Sequence, residues 1–271
     1  MMKGNVFRSF YLIPYILWIA LFVVAPIALV VYYSFFDIDN QFTFTNYVRF
    51  FEPVYLKMAL SSFWYAFLIT LFSLLIALPT AYFLMKTKHK QLWLLLLILP
   101  TWINLLLKTY AFIGIFGLSG AVNRFLEFIG IGTQQILFTD FSFIFVSVYI
   151  FIPFMLLPVY NALDRLNPSY ISAAQDLGAN RWTTFRRVIL PLISNGIKAG
   201  CMAVFIPALS LFMITRLIAG NKVITLGTAI EQHFLVTQDW GMGATIAVFL
   251  IFAMVLMMIF MGSHKQIGGR R

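Results

Sequence analysis

The chain is short of nearly everything a soluble enzyme relies on. It has one cysteine, nine acidic residues and three histidines in 271 positions. A lone Cys201 has no partner for an intrachain disulfide or a cysteine metal cluster, so the redox compartment stays open. Charged residues make up 10% of the chain, against roughly 25% in water-soluble domains, which excludes an ordinary soluble globule. No G-x-x-x-x-G-K-[ST] phosphate loop occurs, so ATP is not bound here by that device and any ATP-derived energy must come from another subunit. His89, His233 and His264 lie in different loops, and no nucleophile, base and orienter converge. That sets an intramembrane enzyme last among the possible functions.

What fills the space is apolar: 62% of residues are hydrophobic and 18% are aromatic. A spanning helix needs about 20 mostly apolar residues. Six stretches qualify, roughly 11–33, 58–85, 92–117, 141–163, 194–219 and 242–262. The first follows Lys3 and Arg8 as a signal peptide would. Its apolar run is too long for a signal core and lacks a small-x-small cleavage pattern, so it is expected to be an uncleaved first span. No carboxylate falls inside a predicted span, whereas proton-coupled carriers use intramembrane acids or histidines. This weighs against the main alternative, a secondary ion-coupled transporter of a small cation.

The formal charge of +10 sorts by side. With the N-terminus inside, Lys3, Arg8, Lys86, Lys88, Lys90, Arg165, Arg181, Arg186, Arg187, Lys198, Lys265, Arg270 and Arg271 are cytoplasmic, as the positive-inside rule requires. Seven of the nine acids, Asp37, Asp39, Glu52, Glu127, Asp140, Glu231 and Asp239, fall outside; Asp164 and Asp176 remain inside. Six spans place both termini in the cytoplasm. The positive charge needs no nucleic-acid partner.

The longest inner loop, 164–192, contains "SAAQDLGANRWTTFRRVILPL" (172–192). Ser169 is the expected N-cap of a short helix, with Tyr170, Ile171, Ala174 and Leu177 at helical spacing. Gly178 ends it in a left-handed conformation. Asn180 caps a second helix, with Trp182, Phe185 and Ile189 on one face, which Pro191 limits. From the pattern alone, such a unit is either an amphipathic loop on the inner leaflet or a docking element.

Its spacing resembles the cytoplasmic motif of permease subunits of ATP-binding-cassette importers: Glu-Ala-Ala, three residues, Gly, nine residues, Ile-x-Leu-Pro. Here the motif reads Ser172-Ala173-Ala174, then Gly178, then Val188-Ile189-Leu190-Pro191, with Ser172 and Val188 as the departures. The stretches 99–116, 120–132, 138–163 and 226–244 extend the similarity to the PotB-type permeases of spermidine/putrescine importers. The resemblance implies a type I importer transmembrane domain, all-α, formed by the whole chain 1–271 as a single permease domain. It implies a non-catalytic permease half of a polyamine importer working by alternating access. Implied partners are a second homologous permease, two ATPase subunits that bind ATP and Mg, an extracellular polyamine-binding protein and membrane lipid. The implied ATPase-coupling residues are Ser172, Ala173, Ala174, Asp176, Gly178, Ala179, Asn180, Arg181, Arg186 and Pro191.

A polyamine path suits aromatic faces and scattered acceptors. The candidates are Trp102, Asn104 and Tyr110 in the third span, Phe205, Phe212 and Thr215 in the fifth, and Glu231, Asp239 and Trp240 at the outer side. Most aromatics in so aromatic a chain serve packing or interfacial belts. Asn104, an amide within a span, must face protein or water. Glu231 and Asp239 serve equally well as solvated loop charges. Two cations run against a polycation route: Lys108, expected to snorkel outward, and Arg216. The resembled permeases carry an acid near Arg216, before a Leu-Leu-Gly-Gly-like run; here Arg216-Leu217-Ile218-Ala219-Gly220 stands instead. Pairing with an acid of the partner permease and gating are both open for Arg216.

Residues 120–129 place Val122, Phe125, Leu126 and Ile129 opposite Asn123, Arg124 and Glu127, predicting a short external amphipathic helix in the outer leaflet or against a binding protein. Gly114, Gly117 and Gly120 are spaced for close helix packing.

Overall fold

A computed structural model describes residues 12–220 and 222–262. The basic residues Lys3, Arg8, Lys265, Arg270 and Arg271, the start of the first predicted span and both termini lie outside the described residues. Thirteen helical segments follow one another among the described residues: α1 (Leu12–Tyr33), α2 (Thr45–Phe50), α3 (Pro53–Met85), α4 (Lys90–Trp102), α5 (Leu105–Phe116), α6 (Ala121–Phe128), α7 (Asp140–Asp164), α8 (Ser169–Asp176), α9 (Arg181–Leu192), α10 (Ser194–Leu209), α11 (Met213–Ile218), α12 (Leu226–Leu235) and α13 (Trp240–Gly262). No strand occurs among them, only an isolated bridge between Phe36 and Phe42. Five helices are long and apolar enough to cross a membrane, and α9 with α10, bent by 67°, makes a sixth.

Two predicted spans are not continuous. The third breaks where Pro100 turns the end of α4 into a 3-10 helix, Ile103 becomes extended and Asn104 caps α5. The fifth breaks after α10, whose last turn contains Pro207, and resumes as α11. Window-averaged hydropathy runs through both breaks, because the joints LPTWIN (99–104) and LSLFM (209–213) are short and flanked by strongly apolar residues.

Prolines also leave a wider signature. A π-turn at Ala20–Val24 precedes Pro26, and another at Phe185–Ile189 precedes Pro191. Proline lacks an N–H and its ring crowds the carbonyl four residues back; a widened turn relieves both. Pro191 therefore does not limit its helix: α9 runs on to Leu192, and the bend falls at Ile193.

By its internal packing the chain falls into two compact units, Met1–Lys57 with Ala229–Ala253, and Met58–Thr228 with Met254–Arg271. In the first, the end of α1, α2 and the start of α13 share a core. Phe50 and Phe249 stack with ring centroids 3.9 Å apart. The buried Asn46 donates to Phe36 O (2.7 Å), and Thr245 Oγ1 donates to Ser34 O (3.1 Å). Gly241 is required here, since a Cβ would lie 1.8 Å from Phe36 O.

In the second unit α7 packs along α10. Cβ atoms at Gly196 and Gly200 would lie 2.4 Å from Ala162 Cβ and 2.7 Å from Met155 Sδ, so these two glycines let the backbones approach. The Gly114, Gly117, Gly120 series is not used that way. Gly114 faces open space, and a Cβ on Gly120 would strike Ile115 O and Gly114 O of its own segment. At the end of α7, Asp164 pairs with Lys90 at the start of α4 (2.5 Å), which holds the Lys90 ammonium above its ordinary pKa.

The predicted external helix exists as α6, but Asn123 is not on its polar face. It is buried, donating to Gly117 O (2.9 Å) and Gln134 O (3.0 Å) and accepting from Gln134 N (2.7 Å). Phe125 and Phe128 are exposed instead.

Candidate functional site

The polar loop folds as two short helices joined by an elbow. Ser169 is the first residue of α8 rather than its cap, because Asn167 Oδ1 accepts from Ser169 N (3.0 Å). At the other end, Gly178 takes φ +81°, with Gly178 N donating to Gln175 O (2.8 Å) and Ala179 N to Ala174 O (3.0 Å). A Cβ at Gly178 would meet nothing within 4 Å, so the need for glycine is one of backbone conformation alone. Asn180 Oδ1 then accepts from Thr183 N (2.8 Å) and caps α9.

Ser172, Ala173, Asp176, Gly178, Asn180, Arg181, Arg186 and Pro191 are exposed, and Ala174 and Ala179 half-exposed. At the tip Leu177 is 88% exposed. Trp182 is also exposed and stacks on Phe185 (6.0 Å), while Ile189 is buried. The π-turn between them breaks the single apolar face drawn by regular helical spacing. The elbow thus presents apolar and charged side chains to whatever docks against it.

A second arrangement forms around the broken spans. The two joints line one cavity of about 400 Å³, walled by Thr101, Ile103, Phe151, Phe154 and Phe212, and the half-buried Lys108 also contributes to its lining. The joint in the fifth span is held by one acceptor. Leu211 O receives the hydroxyls of Thr215 (2.9 Å) and Thr225 (2.8 Å). Gly227 is required beside it, since a Cβ would lie 2.4 Å from Ser210 O.

The sequence-derived path residues are dispersed. Phe212 lines this cavity. Thr215 is fully buried and occupied with Leu211 O. Phe205 lines a separate apolar cavity of about 230 Å³ with Phe67, Leu71 and Cys201. Trp102 is 74% exposed, and Tyr110 is exposed. The Asn104 side chain is spent on Leu106 N (2.8 Å).

In the first unit Asp239 is buried. Its Oδ1 accepts from Met242 N (3.0 Å) and its Oδ2 lies 3.5 Å from Arg49 and 3.9 Å from His233 Nδ1. His233 Nε2 meets Tyr55 Oη at 3.1 Å. Burial pushes the His233 imidazole below its ordinary pKa, Asp239 opposes that shift and Arg49 adds to it. Glu231 is partly buried and Trp240 exposed. The Arg49–Asp239–His233–Tyr55 cluster was not legible in the sequence, since its members lie up to 190 positions apart in number.

Residues 2–266 match the family model of the binding-protein-dependent transport system inner membrane component. The chain belongs to this family. Among curated proteins, the spermidine/putrescine transport system permease PotB of Escherichia coli K12 is 37% identical over 252 residues, covering 89% of this chain and 92% of that one. PotB of Haemophilus influenzae is 36% identical over 250 residues, covering 89% and 87%. The fold matches that of a bacterial ABC transporter that imports the acidic polysaccharide alginate, with a TM-score of 0.82 at 19% identity, covering 96% of this chain and 95% of that one. The same fold is matched in the alginate transporter in complex with a pentasaccharide-bound periplasmic protein. The chain is accordingly a multi-pass inner-membrane ABC importer permease, with the fold that its coupling-loop spacing predicted.

Proposed function

We propose that this permease is one half of the membrane pathway of a polyamine importer. The observation that carries the reading is the exposed elbow at Leu177–Asn180, built on the left-handed Gly178 at the motif position shared by permeases that dock an ATPase. The substrate class rests on the identity to PotB permeases over nearly the whole chain.

In this reading α8 and the elbow sit on an ATPase subunit. ATP and Mg are bound there, and this chain contributes no catalytic group. Closure of two ATPase subunits moves the elbows of this chain and of a second, homologous permease, and an external polyamine-binding protein delivers the substrate. Both termini and the loop 164–192 lie in the cytoplasm, because the basic residues collect on that side. Phe212 and the aromatic wall at Phe151 and Phe154 border the route.

The test is reconstitution of the full complex in proteoliposomes with labelled spermidine and putrescine. Uptake that requires ATP and survives collapse of the proton gradient is expected. Uptake on an imposed gradient without ATP would overturn the reading.

A second reading is favoured by Lys108 in the cavity. A half-buried cation beside the route repels a polycation and suits a substrate bearing a carboxylate. Competition settles the choice: a panel of amines should displace spermidine uptake, whereas displacement by organic acids alone would select the second reading.

A further inference from the structure

The first unit contains a cavity to which no role has been assigned. It measures about 380 Å³ and is walled by Tyr33 at the end of α1, Phe36, Ile38 and Asn40 in the loop 34–44, and Trp240 at the start of α13, with Asp37 in its lining. That volume falls within the range of about 300–1,000 Å³ usual for small-ligand pockets. We propose that it is a subsite for an organic ammonium group, a receiving station at the outer mouth of the permease. The inference deepens the polyamine reading and rests on it.

Three features support the assignment. The first is ring placement. Tyr33 and Trp240 stand with centroids 6.1 Å apart and planes inclined at 60°, a cleft rather than a closed stack. Phe36 is backed by Tyr32 at 4.8 Å. Rings presented in this way offer their negative faces to an alkylammonium without requiring it to lose all its water to charged ligands.

The second is the carboxylate. Asp37 Oδ1 accepts from Asp39 N (3.0 Å) and Gln41 N (2.8 Å), which fixes the side chain within a loop closed by Asp37 N to Gln41 O (3.0 Å). Among the described residues no donor is shown on Oδ2, which is left to meet a cation.

The third is the surrounding field. Tyr33, the last residue of α1, lines the cavity, and a helix C-terminus favours positive charge, whereas the N-terminal end of α13, with Trp240 and Gly241 in the lining, opposes it. That opposing end is already capped by Asp239, whose Oδ1 holds Met242 N. Arg49, the nearby cation, is paired with the same carboxylate. Among the described residues no Lys or Arg lines the cavity. Trp240 and Asp37 thus do separate work: the ring supplies a sequence-tolerant face and the carboxylate supplies charge.

The chemistry has a direct readout. In a Cys201→Ala background the lone native cysteine is gone, and Ile38→Cys on the cavity wall takes an environment-sensitive fluorophore. The assembled importer in nanodiscs is then titrated with tetramethylammonium and with putrescine. A saturable change is expected for both. Trp240→Leu should shift the midpoint about fivefold to weaker binding, with Trp240→Phe retaining most of the affinity. Asp37→Asn should weaken binding at low salt and less so at high salt.

ATPase co-purification and basal ATP hydrolysis verify that each variant is assembled. A non-saturable response in the parent, or unchanged midpoints in assembled Trp240→Leu and Asp37→Asn, would overturn the subsite. Labelled spermidine uptake by the parent is read separately, so that loss of the substrate reading and loss of the subsite give different results.

Discussion

Two joints in the second unit solve one problem in opposite surroundings. At the elbow 177–180 and at the break 209–213 a helix ends, the chain turns and a helix restarts. The exposed elbow needs one glycine at positive φ and one asparagine cap, since water satisfies what they leave over. The buried break has no such help. Its Leu211 carbonyl takes two threonine hydroxyls, and Gly227 comes close enough that a side chain there would clash. In an apolar interior every freed backbone group needs a protein partner. The exposed joint is therefore constrained by conformation and the buried one by hydrogen bonding and space.

The largest expected effect breaks the exposed joint. Gly178→Val forces a β-branched residue into a left-handed conformation at a cost of about 1–2 kcal/mol. Uptake should fall about tenfold with the chain still inserted. Gly178→Asn should retain most transport, because Asn tolerates that conformation and the site has room. If both variants behave alike, the conformational account of the elbow fails.

Gly227→Ala attacks the buried joint by volume. The added Cβ pushes on Ser210 O, and overpacking of this kind costs about 1–3 kcal/mol. A lower thermal midpoint of the purified complex should report it, whereas Gly178→Asn, which tolerates the left-handed conformation and meets no neighbour, should leave that midpoint almost unchanged.

Removing a hydroxyl is milder. Thr215→Val leaves Leu211 O with Thr225 alone, a loss of about 0.6 kcal/mol by the scale of membrane hydrogen bonds. Adding Thr225→Val should cost more than the first substitution did, because it empties the acceptor and also takes the partner of Thr228 N and Oγ1. Strict additivity would show that the shared carbonyl does not couple the two.

The smallest effect concerns a half-buried joint in the first unit, between α12 and α13. His233 is held neutral by burial, with its pKa below the ordinary value of about 6.5. The stabilising contribution is complete above that value. It is lost as pH falls toward the folded pKa, where the unfolded chain takes up a proton that the folded chain resists. The thermal midpoint should therefore decline below about pH 6.5, and less steeply in His233→Gln. Equal slopes would assign the decline to other groups.

These joints also mark what sequence makes legible. The elbow was readable because its determinants, Gly178 and Asn180, lie two residues apart and act on the local backbone. The family resemblance added what such a knob docks against. The breaks at 99–104 and 209–213 were hidden, since Pro100 and Pro207 sit at or just before short joints that a span-length hydropathy average smooths over. Their stabilising partners, such as Thr225 for Leu211, are remote in the chain.

Asp239 misled for a related reason. An acid at a helix start outside the membrane looks solvated, and only folding brings Arg49 and His233 to it.

The doubled acceptor at Leu211 has a mechanical consequence. An elbow pinned by two hydroxyls can flex only by tearing one away, and no solvent stands ready to replace it. The fifth span should thus behave as a locked crank through that corner. Its compliance lies lower down, at Ile193, where α9 meets α10 at 67° and no side chain caps either helix end. A push delivered to the coupling elbow would be taken up there as rotation, before it reaches the crank.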